Sequence, residues 1–381
     1  MTRDGARSRT RRDVLKIGGG LAASGLLAGC TGGGNGSGEA TDTSTDSTYT
    51  VSIEPVGEVE FAEPPETWVA NNGSWADMGV ALGVEPPLAM WLTSRYHTQY
   101  YDEIPGVSVD KSGMVSLYQD GVSKELFYSL DQEHGTDIHV IDPNFLMNRF
   151  KGWEQSDIDE VSENIAPFFG NSIFSRGYAW HESYRYYTLY EAFEKLAKVF
   201  RRTDRYEAFA SLHEEFQSTL SPLVPTSNSE RPQVAIMWAA GNQPTSFLPY
   251  LIGEGTSFKQ WRDLNVRDAF AETEVKDFHS SRGSIDLETL LEIDPEVLLF
   301  RGHEHQTAEE FRNTVVAFLK EDDTASALTA VQNGDVYRGG PLYQGPITNL
   351  VVTQRAAEQL YGVEEQLYDP ERIAPIVNGE V

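Results

Sequence analysis

A single cysteine, Cys30, stands in 381 residues, so no intramolecular disulfide can form and no site built on several thiolates can hold zinc or an iron-sulfur cluster. Lysine is scarce as well: nine lysines accompany twenty-one arginines, and these thirty cations face 58 carboxylates, a formal charge of -28. So acidic a chain repels phosphate backbones and anionic headgroups, which removes nucleic acid from the expected partners. The charge balance reads as adaptation to molar salt, where the Debye length falls to about 3 Å and such a surface no longer repels itself. A merely acidic mesophilic protein is the plainer alternative. No stretch approaches 18 uninterrupted apolar residues, so no spanning helix is expected. Motifs of covalent chemistry are missing too. There is no Gly-x-Ser-x-Gly elbow, no Gly-Lys-Ser/Thr phosphate loop and no His-Glu-x-x-His helix, and Phe258 stands where a dinucleotide fingerprint after Gly253 and Gly255 needs its third glycine. An enzyme is not expected, although the scattered carboxylates of an exported hydrolase would leave no local signature.

What is present is a folded protein's composition, 40% apolar and 11% aromatic, behind an unusual N-terminus. Residues 1–30 carry six basic and two acidic groups, including Arg11-Arg12, then a run of about twelve weakly apolar residues broken by glycines, and end Leu27-Ala28-Gly29-Cys30. That run is too short to span a bilayer, which takes about 20 residues. The segment resembles a twin-arginine export signal closed by a lipoprotein processing box. The resemblance implies a diacylglyceryl chain on Cys30 and an extracytoplasmic, lipid-anchored protein; a cleaved signal with an incidental cysteine is the alternative. Residues 31–50, rich in glycine, serine and threonine, read as a flexible tether.

Beyond the tether the chain reads as α/β: two sheet-containing lobes, 51–182 and 204–381, joined by one long helix at 183–203. Short apolar strands at 67–70, 88–92, 137–141, 233–239 and 297–300 alternate with helices at 76–82, 124–130, 286–292 and 349–361, the pattern of mostly parallel sheets. Tyr187, Leu189, Tyr190, Phe193, Leu196, Ala197 and Phe200 fall at helical spacing and mark the expected connecting helix. Two stretches, Glu125 to Ile141 and Glu288 to Phe300, share one order: glutamate, apolar helix, a turn with aspartate, apolar strand.

Ala76-Asp77-Met78 through Gly83, Glu288 through Asp294-Pro295-Glu296-Val297, and Ala330-Val331-Gln332-Asn333-Gly334-Asp335-Val336-Tyr337 together resemble the substrate-binding proteins of siderophore and cobalamin ABC importers, over about residues 65–362. The resemblance, with the acidic surface, suggests such a lipoprotein from a halophilic archaeon. It implies a monomer with no cofactor of its own, which captures a ferric siderophore such as an iron(III) hydroxamate between its lobes and passes it to permease and ATPase subunits. Cobalamin, corrinoids and haem are alternatives within the same class. Glu125 and Glu288, one on each lobe, fall where the family docks onto permease arginines. Solvated glutamates at helix starts are the bland reading of both.

Ligands of α/β proteins bind outside the carboxyl ends of parallel strands. That rule nominates Trp75, Arg95, Tyr96, His97 and Asn144 in the first half. In the second half it nominates Asn242, Gln243, Phe247, Arg301, His303, Arg338 and Tyr343. Phe174 to Trp180, with Arg176, Tyr178 and Trp180, are placed to reach the cleft from the hinge. Arginine forks donors onto chelate oxygens, and aromatic rings cover flat ligand faces. Taken singly, each is as readily a surface ion pair or a packed core residue. His303-Glu304-His305 offers two imidazoles to a bare ion but lacks further ligands, so no metal site is expected. Tyr100-Tyr101 reads as packing before it reads as a ferric phenolate pair.

Overall fold

The computed structural model describes residues 48–381. The export signal, Cys30 and most of the tether lie outside the described residues. Tyr49 and Thr50, assigned to the tether by composition, already belong to a strand: β1 (Tyr49–Ile53) and β2 (Gly57–Phe61) form an antiparallel hairpin. Its alternation turns Val51, Ile53, Val59 and Phe61 inward, while Ser52, Glu58 and Glu60 face water.

Four short strands come next, β3 (Trp68–Ala70), β4 (Ala89–Met90), β5 (Val115–Ser116) and β6 (Ile138–Val140), in the order β5-β4-β3-β6. All pair in parallel, and β3, β4 and β6 are buried along their whole length. That is why they read as continuous apolar runs. The second lobe holds β7 (Gln233–Ala239), β8 (Ser246–Tyr250), β9 (Arg267–Asp268), β10 (Ile285–Asp286), β11 (Val297–Arg301) and β12 (Val336–Arg338). Its order is β10-β8-β7-β11-β12 with β9 along β7; β8 and β10 run antiparallel.

Helices α1 (Gly73–Ala81), α2 (Lys124–His134), α3 (Pro143–Arg149) and α4 (Gln155–Asn164) accompany the first sheet. Two more, α5 (Leu189–Val199) and α6 (Thr203–Leu220), come before the second. The connecting helix expected at 183–203 needs correction. Thr188 and Glu191 cap each other's backbone amides, which starts α5 at Leu189 and leaves 183–188 outside it. Arg201, in the left-handed region at φ 51°, then breaks the run. The spanning element is α6, eighteen residues long and so about 27 Å at 1.5 Å per residue. Near its start Arg205 donates to the Leu82 carbonyl after α1; near its end Gln217 Nε2 donates to Asp263 Oδ2 of the second lobe at 3.0 Å.

The second half is also not wholly a second lobe. The helix Pro346–Tyr361 returns to pack on α1, and residues 339–353 are buried without interruption. Two buried carboxylates tie this segment down. Asp77 of α1 accepts from the Ile347 and Thr348 amides at 3.0 and 3.2 Å and from the Tyr101 hydroxyl at 2.6 Å. The approach requires Gly345, where a Cβ would lie 2.4 Å from Asp77 Oδ2. Glu304, after β11, takes both guanidinium arms of Arg355 at 3.0 Å, the Tyr100 hydroxyl and the Gly340 amide.

The two groups titrate oppositely. Burial raises the Asp77 carboxyl to about 6 against its hydrogen bonds. Burial acts on Glu304 in the same sense, but Arg355, with Arg338 and the Tyr100 hydroxyl, overrides it and holds the carboxyl at about 2. Glu304 therefore stabilises the fold above its ordinary 4.5 and loses that contribution as pH falls towards 2. Asp77 favours folding as pH falls from 6 towards 3.8. Urea titrations across pH should show that Glu304→Gln flattens the acid limb of stability, whereas Arg355→Met, which strands a buried carboxylate, costs about 3–5 kcal/mol at neutral pH.

Candidate functional site

A cavity of about 1000 Å³ opens between the lobes. One wall is built from loops beyond the carboxyl ends of the first sheet: Trp91, Leu92 and Arg95 after β4, Leu117 to Ser123 after β5, and Arg149 to Lys151 beyond β6. The opposite wall is Trp238 of β7, Leu248 and Tyr250 of β8, and Phe278, His279 and Arg282, with Phe174, Tyr178 and Tyr343 closing the floor. Strand ends free backbone and side chains to fan outward, which is why the wall gathers there.

Arg95 lies at the centre. Its guanidinium sits 4.7 Å from the ring centroid of Trp238 and 5.6 Å from that of Trp91, one ring from each lobe. Arg282 lies 5.1 Å from the Phe278 ring. These π faces hold the cations without neutralising them. The aromatic wall is interlocked: Trp91 meets Phe145 edge-on at 5.1 Å and Tyr343 at 6.5 Å, and Tyr343 meets Phe174 at 5.3 Å. Two donors in this wall, the Tyr343 hydroxyl and Trp91 Nε1, are buried with no acceptor. Arg95 lies near the Tyr343 hydroxyl and opposes the rise that burial gives its pKa, but a guanidinium can only donate and leaves that O–H unanswered. Both atoms are closed off from solvent, so they belong to the packing of the wall and not to its accessible surface. Burial raises the Tyr178 hydroxyl to about 12, opposed by the positive charges of Arg149, Arg282 and Arg95. His279 sets Nδ1 at 3.2 Å from Asp277 Oδ1.

Of the residues nominated from sequence, Arg95 and Tyr343 line this cavity, as do Phe174 and Tyr178 of the hinge stretch. The others lie elsewhere. Trp75 is a core residue of α1, because Asn72 caps the helix earlier than expected and turns the indole inward. Tyr96 is buried, its hydroxyl 2.7 Å from that of Tyr101 in the Asp77 network. Asn144 serves the α3 start, its amide donating to Asp142. Arg176 pairs with Glu254 and covers Tyr186; Trp180 stacks on Tyr178 at 4.2 Å, behind the wall. Asn242 accepts from Gln306. Arg301 is fully buried over Phe258 and Tyr250, donating to the Ser257 carbonyl.

His303 is buried while its neighbour His305 is exposed, with ring centroids 6.4 Å apart. Among the described residues no group of three or more His, Cys, Asp or Glu is placed to hold a metal. Tyr100 and Tyr101 both turn inward, onto Glu304 and Asp77. Glu125 and Glu288 are exposed, each in the first turn of its helix, and Glu125 also borders the cavity.

Sequence reasoning missed Trp91, Arg149, Lys151, Trp238, Tyr250, His279 and Arg282. Trp91 and Trp238 carried a usable signal, since each stands at the end of an apolar strand. Arg149, Lys151 and Arg282 sit at or beyond helix ends, and only the fold brings them to the strand ends.

Comparison with known proteins agrees with this architecture. The sequence pattern of the family described as "Periplasmic binding protein" matches residues 140–342, more than half of the chain. The chain belongs to that family, whose members are substrate-binding proteins of transport systems, so its coarse role is solute binding for an ABC transporter. No curated protein matches it. Several solved structures do. An ABC-type Fe3+-hydroxamate transport system protein of Saccharomonospora viridis is 18% identical, with TM-score 0.53 over 82% of this chain and 98% of its own. The periplasmic catecholate-siderophore binding protein VctP of Vibrio cholerae is 17% identical, with TM-score 0.52 over 81% of this chain and all of its own. The iron uptake substrate-binding protein PiuA of Streptococcus pneumoniae is 14% identical, with TM-score 0.54 over 82% and 99%. At these identities the likeness is one of fold, with two lobes and a cleft between them. Among the described residues no helix is long and apolar enough to cross a membrane.

Because Arg95 bridges indoles of both lobes, Arg95→Ala should lower stability by about 0.5–2 kcal/mol. It should also shift tryptophan emission, both read in one urea titration followed by fluorescence.

Proposed function

We propose that this protein captures a ferric siderophore outside the cytoplasmic membrane and delivers it to an ABC permease, with no covalent chemistry of its own. The observation that supports this best is Arg95, held over indoles of both lobes in an aromatic cavity of about 1000 Å³. An iron(III) chelate presents oxygen acceptors around the metal and flat apolar faces outside it. It meets guanidinium and rings together. An iron(III) hydroxamate was the sequence expectation, and hydroxamate and catecholate chelates both have this form.

Anchoring and docking fit the same role. Cys30 carries the lipid anchor, the protein acts as a monomer, and an acid-rich surface suits molar salt. Glu125 and Glu288 dock onto cations of the permease, one from each lobe. In high salt that pairing acts only at contact, since screening removes steering beyond about 3 Å. Release then relies on the permease separating the lobes.

Tryptophan fluorescence of the purified protein in molar KCl tests the capture step. Ferric siderophore is expected to quench saturably, because Trp91 and Trp238 border the cavity, and the iron-free chelator is not. Saturation by cyanocobalamin or haem alone would reassign the ligand within the class; binding of none would remove the function. A Glu288→Lys variant should lose import while keeping affinity within about threefold, since Glu288 is exposed and does not line the cavity.

A further inference from the structure

The cavity is electrically unlike the chain that encloses it. Carboxylates outnumber cationic side chains nearly two to one in the sequence. Around the cavity the ratio reverses, with Arg95, Arg149, Lys151 and Arg282 against Asp120 and Glu125. Asp120 and Glu125 are both exposed, at the rim. None of the four cations forms an ion pair with a described carboxylate, in a protein that offers many. They come from three segments, two on the first lobe and one on the second, so no single stretch of sequence accounts for the grouping. Two of them rest on π faces contributed by both lobes, Arg95 on Trp91 and Trp238, and Arg282 on Phe278. Rings hold a guanidinium in position while leaving its charge available to a ligand.

We infer that the ligand is a multiply anionic, aromatic ferric chelate, of the tris-catecholate kind, and that Arg95, Arg149, Lys151 and Arg282 select it over neutral chelates. This rests on the siderophore reading above and narrows it. Three hydroxamates neutralise ferric iron and leave a complex that gains little from four unpaired cations. Catecholates are doubly charged, so three of them leave the complex strongly negative, with the charge delocalised onto rings. Such rings accept stacked guanidinium and edge contacts from Trp91, Tyr343 and Tyr250 at once. Ferric citrate shares the charge but not the rings, so the aromatic wall favours the catecholate.

The test is competition among three ferric complexes of the same metal, measured by fluorescence titration of the whole protein at molar and at tenth-molar KCl. A synthetic ferric tris-catecholate is expected to bind at least tenfold more tightly than ferrioxamine, a trihydroxamate, and than ferric citrate, with the gap over ferrioxamine widening at lower salt. Arg149→Gln with Lys151→Gln, both exposed and outside the buried core, should weaken catecholate binding about tenfold and leave ferrioxamine binding unchanged. Thermal denaturation of that variant shows whether it is folded. Equal or tighter binding of ferrioxamine, or of citrate, overturns the inference and leaves siderophore capture standing. Binding of cyanocobalamin or haem with no ferric chelate bound overturns both.

Discussion

Two carboxylates buried where the lobes meet constrain everything else in this molecule. An ionised group taken out of water is tolerated only when its hydrogen bonds are complete, and each of these two is completed by groups distant in sequence. Asp77 needs the first amides of the helix Pro346–Tyr361, and Glu304 needs Arg355 on the same helix together with Tyr100 of the first half. One late helix is thereby held to α1 at its start and to the loop after β11 about two and a half turns later. The segment that carries Tyr343 into the cavity leads directly into this helix. Gln344 reinforces it, its amide donating to Ser74 Oγ and its side chain reaching Gln260.

That seam explains how a cavity can be ready before its ligand arrives. An open cavity walled by aromatic rings persists only where neighbours prevent collapse. Here the neighbours are interlocked rings close to the two polar anchors. Arg95 spans the remaining gap between Trp91 and Trp238. Affinity then draws on preorganised groups, and little is lost to ordering the site on binding.

The sequence displayed the sheets well because parallel strands buried on both faces read as unbroken apolar runs, as at Val234 to Ala239 and Val297 to Phe300. It displayed the amphipathic β1–β2 hairpin poorly, since Val51, Ile53, Val59 and Phe61 alternate with polar residues beside a low-complexity tether. The connecting helix was placed one helix early because α5 has the stronger apolar stripe, whereas α6, which spans the lobes, has a weaker one. For the candidate site, the strand-end rule pointed to only some of the residues that border the cavity. Arg95 and Tyr343 reach the cavity; Arg301, which also obeys the rule, is drawn into the core by Phe258 and Tyr250. Arg149, Lys151 and Arg282 could not be singled out, because their convergence depends on how two lobes face each other, which no local pattern encodes.

The central claim is that a ferric chelate sits in the cavity lined by Arg95, Tyr178 and Tyr343. Iron anomalous scattering from crystals grown with a ferric siderophore addresses it directly. The account predicts one strong peak inside the cavity bordered by Arg95, Tyr178 and Tyr343, and none elsewhere. A peak beside His303 and His305 with the cavity empty, or no iron at all from crystals grown at saturating chelate, would contradict it.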